Sequence, residues 1–307
     1  MSLDADLLLD RRRLKRRISF WRGLAIVIAG ALLVAFFALR EDAGRLLPGA
    51  GHIARLPVRG FIGEDRKTME ALDRIDRDSS VRAVIVAIDS PGGSVAGGEA
   101  LHAALARLAR SKPVVATMGG TAASAGYMVA LPAARVFARE ATVTGSIGVI
   151  LQSFDASTLL STLGVRVESL PSGVFKDQPS PFHPLSEEGR AQLMRVVRDL
   201  HEQFVAMVAA GRDMPVERVR ELADGRVFTG REAIGLGLVD AIGGEREARE
   251  WLAENRSVPA DLPVREIETR SFTERNFRSF FQGVLGAIIS ESLLVDRVRA
   301  VWQPAAR

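Results

Sequence analysis

Ser124 stands in Gly119-Gly-Thr-Ala-Ala-Ser-Ala-Gly-Tyr127, a hydroxyl among residues with almost no side chain. Small neighbours let a carbonyl carbon come close to a serine oxygen, and an apolar stretch beginning at the serine would place it at a helix mouth. Nucleophilic attack is one use of such a serine. Capping the helix, worth about 1 kcal/mol, is the other. A second constellation is Ser90-Pro91-Gly92-Gly93. Two adjacent glycines allow backbone N–H groups to face a ligand with no Cβ in the way, and such donors could hold a developing oxyanion. The same four residues also suit an ordinary strand-to-helix turn.

A serine nucleophile needs a proton acceptor. The four histidines, His52, His102, His183 and His201, sit in a linker, on a helix, between prolines and on a long helix. None has the context of a catalytic triad, and each reads as a surface or core histidine. Lys176 differs. It lies in the apolar, Pro-rich Pro171-Ser-Gly-Val-Phe-Lys-Asp-Gln-Pro-Ser-Pro181, and it is one of four lysines among 41 basic residues. Arginine does not release its proton near neutral pH, whereas a desolvated lysine can. To serve as a base, the amine must lose about 3 pKa units, roughly 4 kcal/mol against its charged form. A solvated surface lysine is the competing reading.

The elements that must hold these groups alternate between strand and helix. Arg55–Ile62 reads as a strand and Asp65–Arg77 as a helix. Val81–Ile88 is rich in β-branched residues, as in a strand buried on both faces. Gly97–Arg110 is helical, Pro113–Met118 is a second buried strand, and a helix begins near Ser124. Arg135–Ala138, Val143–Ile150 and Val165–Leu170 are strand candidates, and Asp155–Leu163 is a helix. A long helix spans Ser186–Gly211, with Leu193, Val196, Val197, Leu200 and Phe204 at helical spacing. Val216–Leu222 and Arg231–Leu236 are short helices. This order predicts an α/β fold with a largely parallel sheet.

The 307 residues are 47% hydrophobic and 25% charged, the balance of a globular protein with a sizeable core. There is no cysteine, which excludes disulfides, thiol nucleophiles and Cys-ligated metals. The net charge of +4 is spread among acidic residues except at the N-terminus, a poor footprint for nucleic acid. Residues 23–39 carry no charge and are just long enough to span a bilayer. Arg11, Arg12, Arg13, Lys15, Arg16 and Arg17 precede them, so the positive-inside rule keeps residues 1–22 in the cytoplasm and sends the rest out of it. A cleavable signal peptide is the rival reading, though the run is followed by no small-x-small site. The expected organisation is a basic tail over 1–22, a transmembrane anchor over 23–39, a linker over 40–54, a catalytic domain over 55–270 and an amphipathic segment over 271–307.

Taken in order, several motifs resemble the SppA signal peptide peptidases, within the wider ClpP/crotonase fold. They are Asp89-Ser-Pro-Gly-Gly93, Ala123-Ser-Ala-Gly-Tyr127, Thr144-Gly-Ser-Ile-Gly-Val149, Ser172-Gly-Val-Phe-Lys-Asp177 and the run from Arg226 to Gly244. The resemblance covers about Arg55 to Trp251. It implies a core of repeated β-β-α units wound as a spiral, behind one N-terminal membrane helix. It implies Ser124 as nucleophile, Lys176 as general base and Ser146 as a hydroxyl bonded to the lysine amine. Gly92 or Gly93, with the amide of Ala125, would form the oxyanion hole. It further implies an inner-membrane endopeptidase with its catalytic domain outside the cytoplasm, acting on cleaved signal peptides and other unfolded apolar peptides. No metal or cofactor is required. Such proteins form homo-oligomeric rings, with eight subunits as one count, and Lys176 would then serve a neighbour's Ser124. A crotonase-type acyl-CoA enzyme and a non-catalytic membrane scaffold are the alternatives on the same fold.

Overall fold

A computed structural model describes Trp21 and residues 51–267. The expected anchor over 23–39 and the amphipathic segment over 271–307 lie outside the described residues. No described helix is long and apolar enough to cross a membrane.

The elements run β1 (His52–Ile62), α1 (Arg66–Arg77), β2 (Val81–Gly93), α2 (Val95–Leu108), β3 (Val114–Ala123), α3 (Ala125–Ala130), β4 (Arg135–Ala138) and β5 (Val143–Gly145). Then follow α4 (Ser157–Thr162), α5 (Glu187–Arg212), α6 (Val216–Leu222), β6 (Val227–Thr229), α7 (Gly230–Gly235), β7 (Ala241–Ile242), α8 (Glu245–Arg256) and β8 (Val264–Glu266). The strands form one sheet in the order β6-β5-β3-β2-β1-β8, with β4 bonded to β3 and to β7. All pairings are parallel except β5 with β6. The expected α/β class with a mainly parallel sheet is therefore observed.

β-Branched side chains explain the centre of this sheet. Val84, Ile85, Val86 and Ile88 of β2 and Val114 and Val115 of β3 are almost fully buried, as strands covered on both faces require. One face meets Leu72 and Ile75 of α1, Leu101 and Leu105 of α2, and Phe204, Val205 and Val208 of α5. The other face carries Ile53, Ile85, Val115 and Phe137 against Ala248 and Leu252 of α8. The helices start on side-chain caps: Asp65 accepts from the Lys67 N–H, Ser94 from Gly97 and Ser186 from Gly189.

Several expected boundaries move. β1 begins at His52, so His52 is a buried strand residue rather than a linker residue. β3 continues five residues beyond Met118. Its first half pairs with β4 over Val115–Met118 and its second half with β5 over Thr121–Ala123. Gly119 and Gly120 lie where the partner changes, against the carboxylate of Asp89. Val143–Ile150 is a strand only as far as Gly145, and Val165–Leu170 forms no strand. Val165, Val167 and Leu170 are exposed and pair with no strand among the described residues. The stripe on α5 is buried only toward its C-terminal half; Val196 is exposed, whereas Phe204 is not.

Candidate active site

The end of β3 and the start of α3 make one sharp corner, and Ser124 is that corner. Its backbone has φ 54° and ψ −122°, a conformation L-residues rarely adopt. Such strain costs about 1–3 kcal/mol and persists only where the surroundings impose it. Here they do. The Ser124 N–H donates to the Gly145 carbonyl (2.9 Å), and the Ser124 carbonyl accepts from Met128 (3.0 Å). Ser124 occupies the cap position of α3, yet its hydroxyl makes no capping hydrogen bond. The capping role is therefore set aside, and a half-buried hydroxyl remains, held at a strand-to-helix corner.

Small residues were expected around Ser124, and the packing gives the reason. A Cβ on Gly126 would approach the Ser90 carbonyl to 2.9 Å, and one on Gly98 of α2 would approach the Ala125 Cβ to 2.9 Å. Gly92 has φ +129°, and a Cβ there would lie 3.0 Å from the Ser124 Cβ and 3.3 Å from its Oγ. The loop after β2 thus presents bare backbone directly against the serine side chain. Gly93 faces the other way: a Cβ on it would fall 1.9 Å from the Ile62 carbonyl oxygen.

Ser90 fixes this loop. It is fully buried, and its Oγ donates to the Gly60 carbonyl (2.6 Å) and accepts from the Gly92 N–H (3.1 Å). The Gly92 amide is therefore already engaged by a protein acceptor. Sequence reasoning treated Ser90 only as part of the turn; its burial between two parallel strands was the missed signal. The Ala125 N–H stands at the first position of α3, where the helix itself supplies no acceptor. With only six residues in α3, that single N–H matters more than any long-helix field.

Ser146 lies beside Ser124. The β3–β5 register pairs Ala123 with Gly145, so the two serines follow at equivalent ends of adjacent strands. Ser146 also has a left-handed backbone, φ 49°, and its N–H donates to the Arg226 carbonyl (2.8 Å). Thr144 secures the same edge through its Oγ1, bonded to the Ala122 carbonyl at 2.7 Å. Ser124, Ser146, Gly92 and Ala125 are thus assembled by one sheet edge.

Lys176 is not joined to them by a hydrogen bond within the chain. It is exposed, and its side chain makes no hydrogen bond or ion pair among the described residues. The Asp177 carboxylate lies 3.0 Å from His183 Nε2. That contact first, and the Ser169 and Ser180 hydroxyls after it, hold the carboxyl below the ordinary aspartate range. The other histidines have separate places. His102 is on α2 and His201 Nε2 faces the Ala223 carbonyl at 2.8 Å. Burial pushes His52 and His102 below the usual histidine value. Among the described residues, no group of His, Asp and Glu is arranged to hold a metal ion.

Comparison with known proteins gives the family of the chain. Residues 106–259, half of the chain, match the model of peptidase family S49, a span that contains Ser124, Ser146 and Lys176. The chain is 40% identical over 203 residues to "Putative protease slr0021" of Synechocystis, across 66% of this chain and 73% of that one. It is 37% identical over 270 residues to "Putative signal peptide peptidase SppA" of Enterococcus faecium, across 82% of this chain and 76% of that one. A solved ClpP1 mutant from Listeria monocytogenes is similar at 18% identity with a TM-score of 0.41, over 63% of this chain and 92% of that one. The chain belongs to peptidase family S49, as a serine peptidase of the SppA type.

Proposed function

We propose that this chain is a membrane-anchored endopeptidase in which Ser124 attacks a peptide carbonyl and Lys176 takes its proton. One observation carries the reading: the strained Ser124 backbone aims an uncapped hydroxyl at the bare Gly92 loop. Attack at the carbonyl carbon forms the tetrahedral intermediate, whose oxyanion takes hydrogen bonds from the Ala125 N–H and, since the Gly92 N–H is engaged by Ser90, from the Gly93 N–H of the loop. The neutral Lys176 amine receives the serine proton and passes it to the leaving amine. A water activated by the same amine then hydrolyses the acyl-enzyme. Ser146, beside Ser124, is placed to accept a hydrogen bond from the lysine and keep it aligned.

Lys176 reaches a serine by assembly. Between residues 150 and 175 the chain exposes Ile150 (78%), Phe154 (73%), Leu170 (90%) and Val174 (78%). So many large apolar side chains exposed on one segment suit a surface that takes a partner. A ring of identical subunits covers it, desolvates Lys176 and brings it to a neighbour's Ser124. The fold within such a ring is the β-β-α spiral of the ClpP/crotonase type. Residues 23–39 anchor the ring in the inner membrane, with the peptidase outside the cytoplasm, where cleaved signal peptides and unfolded apolar segments are the substrates. Enclosure excludes folded proteins.

The test uses two dead variants of the full chain. Ser124→Ala and Lys176→Arg should each lose cleavage of a signal-peptide substrate, the second because it keeps charge but not basicity. Mixed and reassembled, they should regain part of the activity, since some sites then combine an intact serine with an intact lysine. Full activity of either variant alone overturns the dyad. Two dead variants with no recovery place the dyad within one subunit instead.

A further inference from the structure

His183 makes two contacts of one kind. Its Nε2 lies 3.0 Å from the Asp177 carboxylate, and its Nδ1 lies 3.1 Å from the Pro184 carbonyl. Both neighbours are acceptors. A neutral imidazole carries one N–H and one lone pair, so either tautomer sets a lone pair against an oxygen. Only the imidazolium donates to both. The Pro184 carbonyl and the Asp177 carboxylate accordingly hold His183 above the usual histidine value.

This pair closes the turn that carries Lys176. Asp177, the next residue, is joined across the turn to His183 Nε2 at 3.0 Å, and the hydroxyls of Ser169 and Ser180 add to what holds its carboxyl below the ordinary aspartate range. Ser180 is buried and also receives the Phe182 N–H at 3.3 Å. The Pro181 carbonyl accepts from the Ala156 N–H (2.8 Å), tying the turn to the start of α4. Gln178 accepts from the Ser186 N–H (3.1 Å), tying it to the start of α5. The Lys176 N–H itself donates to Gly173 (3.0 Å). The charged groups facing His183 are Asp177 and, from the segment ahead of α4, Asp155.

We infer that the Asp177–His183 ion pair is a positioning device for Lys176, closed while His183 is protonated and loosened when it is not. The inference rests on Lys176 being the general base. The pair acts in two ways. It fixes the backbone from which the lysine extends. It also matches the Asp177 charge with an imidazolium, so that the adjacent carboxylate does not favour the ammonium form of Lys176. The sign follows from the raised value: the pair is fully formed below the ordinary histidine range and is lost as pH rises through the folded value. Lys176 must lose a proton to work and His183 must keep one, so kcat/KM should rise and then fall with pH.

The experiment measures kcat/KM against pH for the full chain and for His183→Gln, Asp177→Asn and the double variant, alongside hydrogen exchange of residues 173–186. Both single variants should lose about ten- to a hundredfold at neutral pH, the usual cost of a misplaced catalytic group. The double variant should be no worse than the worse single one. The falling alkaline limb should disappear in His183→Gln, and protection of the loop amides, taken relative to the intrinsic exchange rate at each pH, should fall in the wild type as pH rises through that limb. Lys176→Arg separates the two ideas. If it is inactive while His183→Gln keeps the wild-type rate and profile, the positioning role is wrong and the dyad stands. If Lys176→Arg is active, the base assignment falls, and this inference falls with it.

Discussion

The strain at Ser124 predicts a trade between stability and catalysis that can be measured in two variants. Ser124→Ala removes the hydroxyl and keeps the Cβ, hence keeps the unfavourable backbone at φ 54° and ψ −122°. The hydroxyl makes no capping hydrogen bond, so its removal should change stability little. Ser124→Gly removes the Cβ and with it most of the strain, about 1–3 kcal/mol. Glycine also gives the unfolded chain more freedom, which costs about 0.5–1 kcal/mol. The net expectation is that Ser124→Gly is more stable than Ser124→Ala by about 0.5–2 kcal/mol. For a domain of 150–250 residues each kcal/mol moves the melting temperature by about 2–4 °C. Urea unfolding of the full chain in detergent, followed by tryptophan fluorescence at unchanged slope, gives the same comparison. Both variants should be inactive. If Ser124→Gly proves equal to or less stable than Ser124→Ala, the serine backbone is not held under strain, and the argument that the corner exists for chemistry loses its footing.

Two further perturbations separate the site from its support. Gly92→Ala puts a Cβ 3.0 Å from that of Ser124 at φ +129°; it should cost about 1–3 kcal/mol of stability and lower kcat far more than it raises KM, and unchanged kcat would show that this loop does not border the reacting carbonyl. Arg212 and Asp240 form a two-pronged ion pair (2.7 and 3.1 Å) beneath the buried Tyr127, and Asp240 also accepts from the Val136 N–H at 2.7 Å. Burial alone would raise the Asp240 carboxyl, but the Arg212 and Val136 hydrogen bonds outweigh it and hold the group below the ordinary aspartate value. Its stabilising effect is therefore present above that value, near pH 3.9, and lost as pH falls through the folded one. Asp240→Asn should destabilise the domain by about 3–5 kcal/mol at neutral pH and flatten the loss of stability in acid, read from urea midpoints between pH 3 and 7.

The central strands and the serine corner were legible because their physics is local. A short run rich in β-branched residues and bounded by a turn reads as a strand buried on both faces, and a serine among residues with almost no side chain needs close neighbours. Gly119-Gly120 misled for a local reason too. Two glycines read as a strand end, whereas here they let β3 bend and exchange β4 for β5. β6, β7 and β8 have three, two and three residues, too few to show a period of two. Ser90 and His183 were hidden because their roles depend on Gly60, 30 residues away, and on which way a proline-rich turn folds back.

The remaining misreadings share a different cause. Val165, Val167 and Leu170 have strand chemistry but no strand partner among the described residues, and Val196 lies in the exposed N-terminal half of a helical stripe. Each is an apolar residue whose pattern calls for a neighbour that the described residues do not supply. These positions gather on the segment that carries Lys176 and on the helix that follows it. Hydrophobic burial is the largest favourable term in folding, so an unspent apolar face is a demand on a second surface. If Lys176 is the general base proposed above, it would acquire its chemistry when this face is covered. Under the proposed assembly, the association that buries Ile150, Phe154 and Leu170 is the same event that strips water from the amine, and catalytic activity should rise with subunit concentration along the same curve as the oligomer.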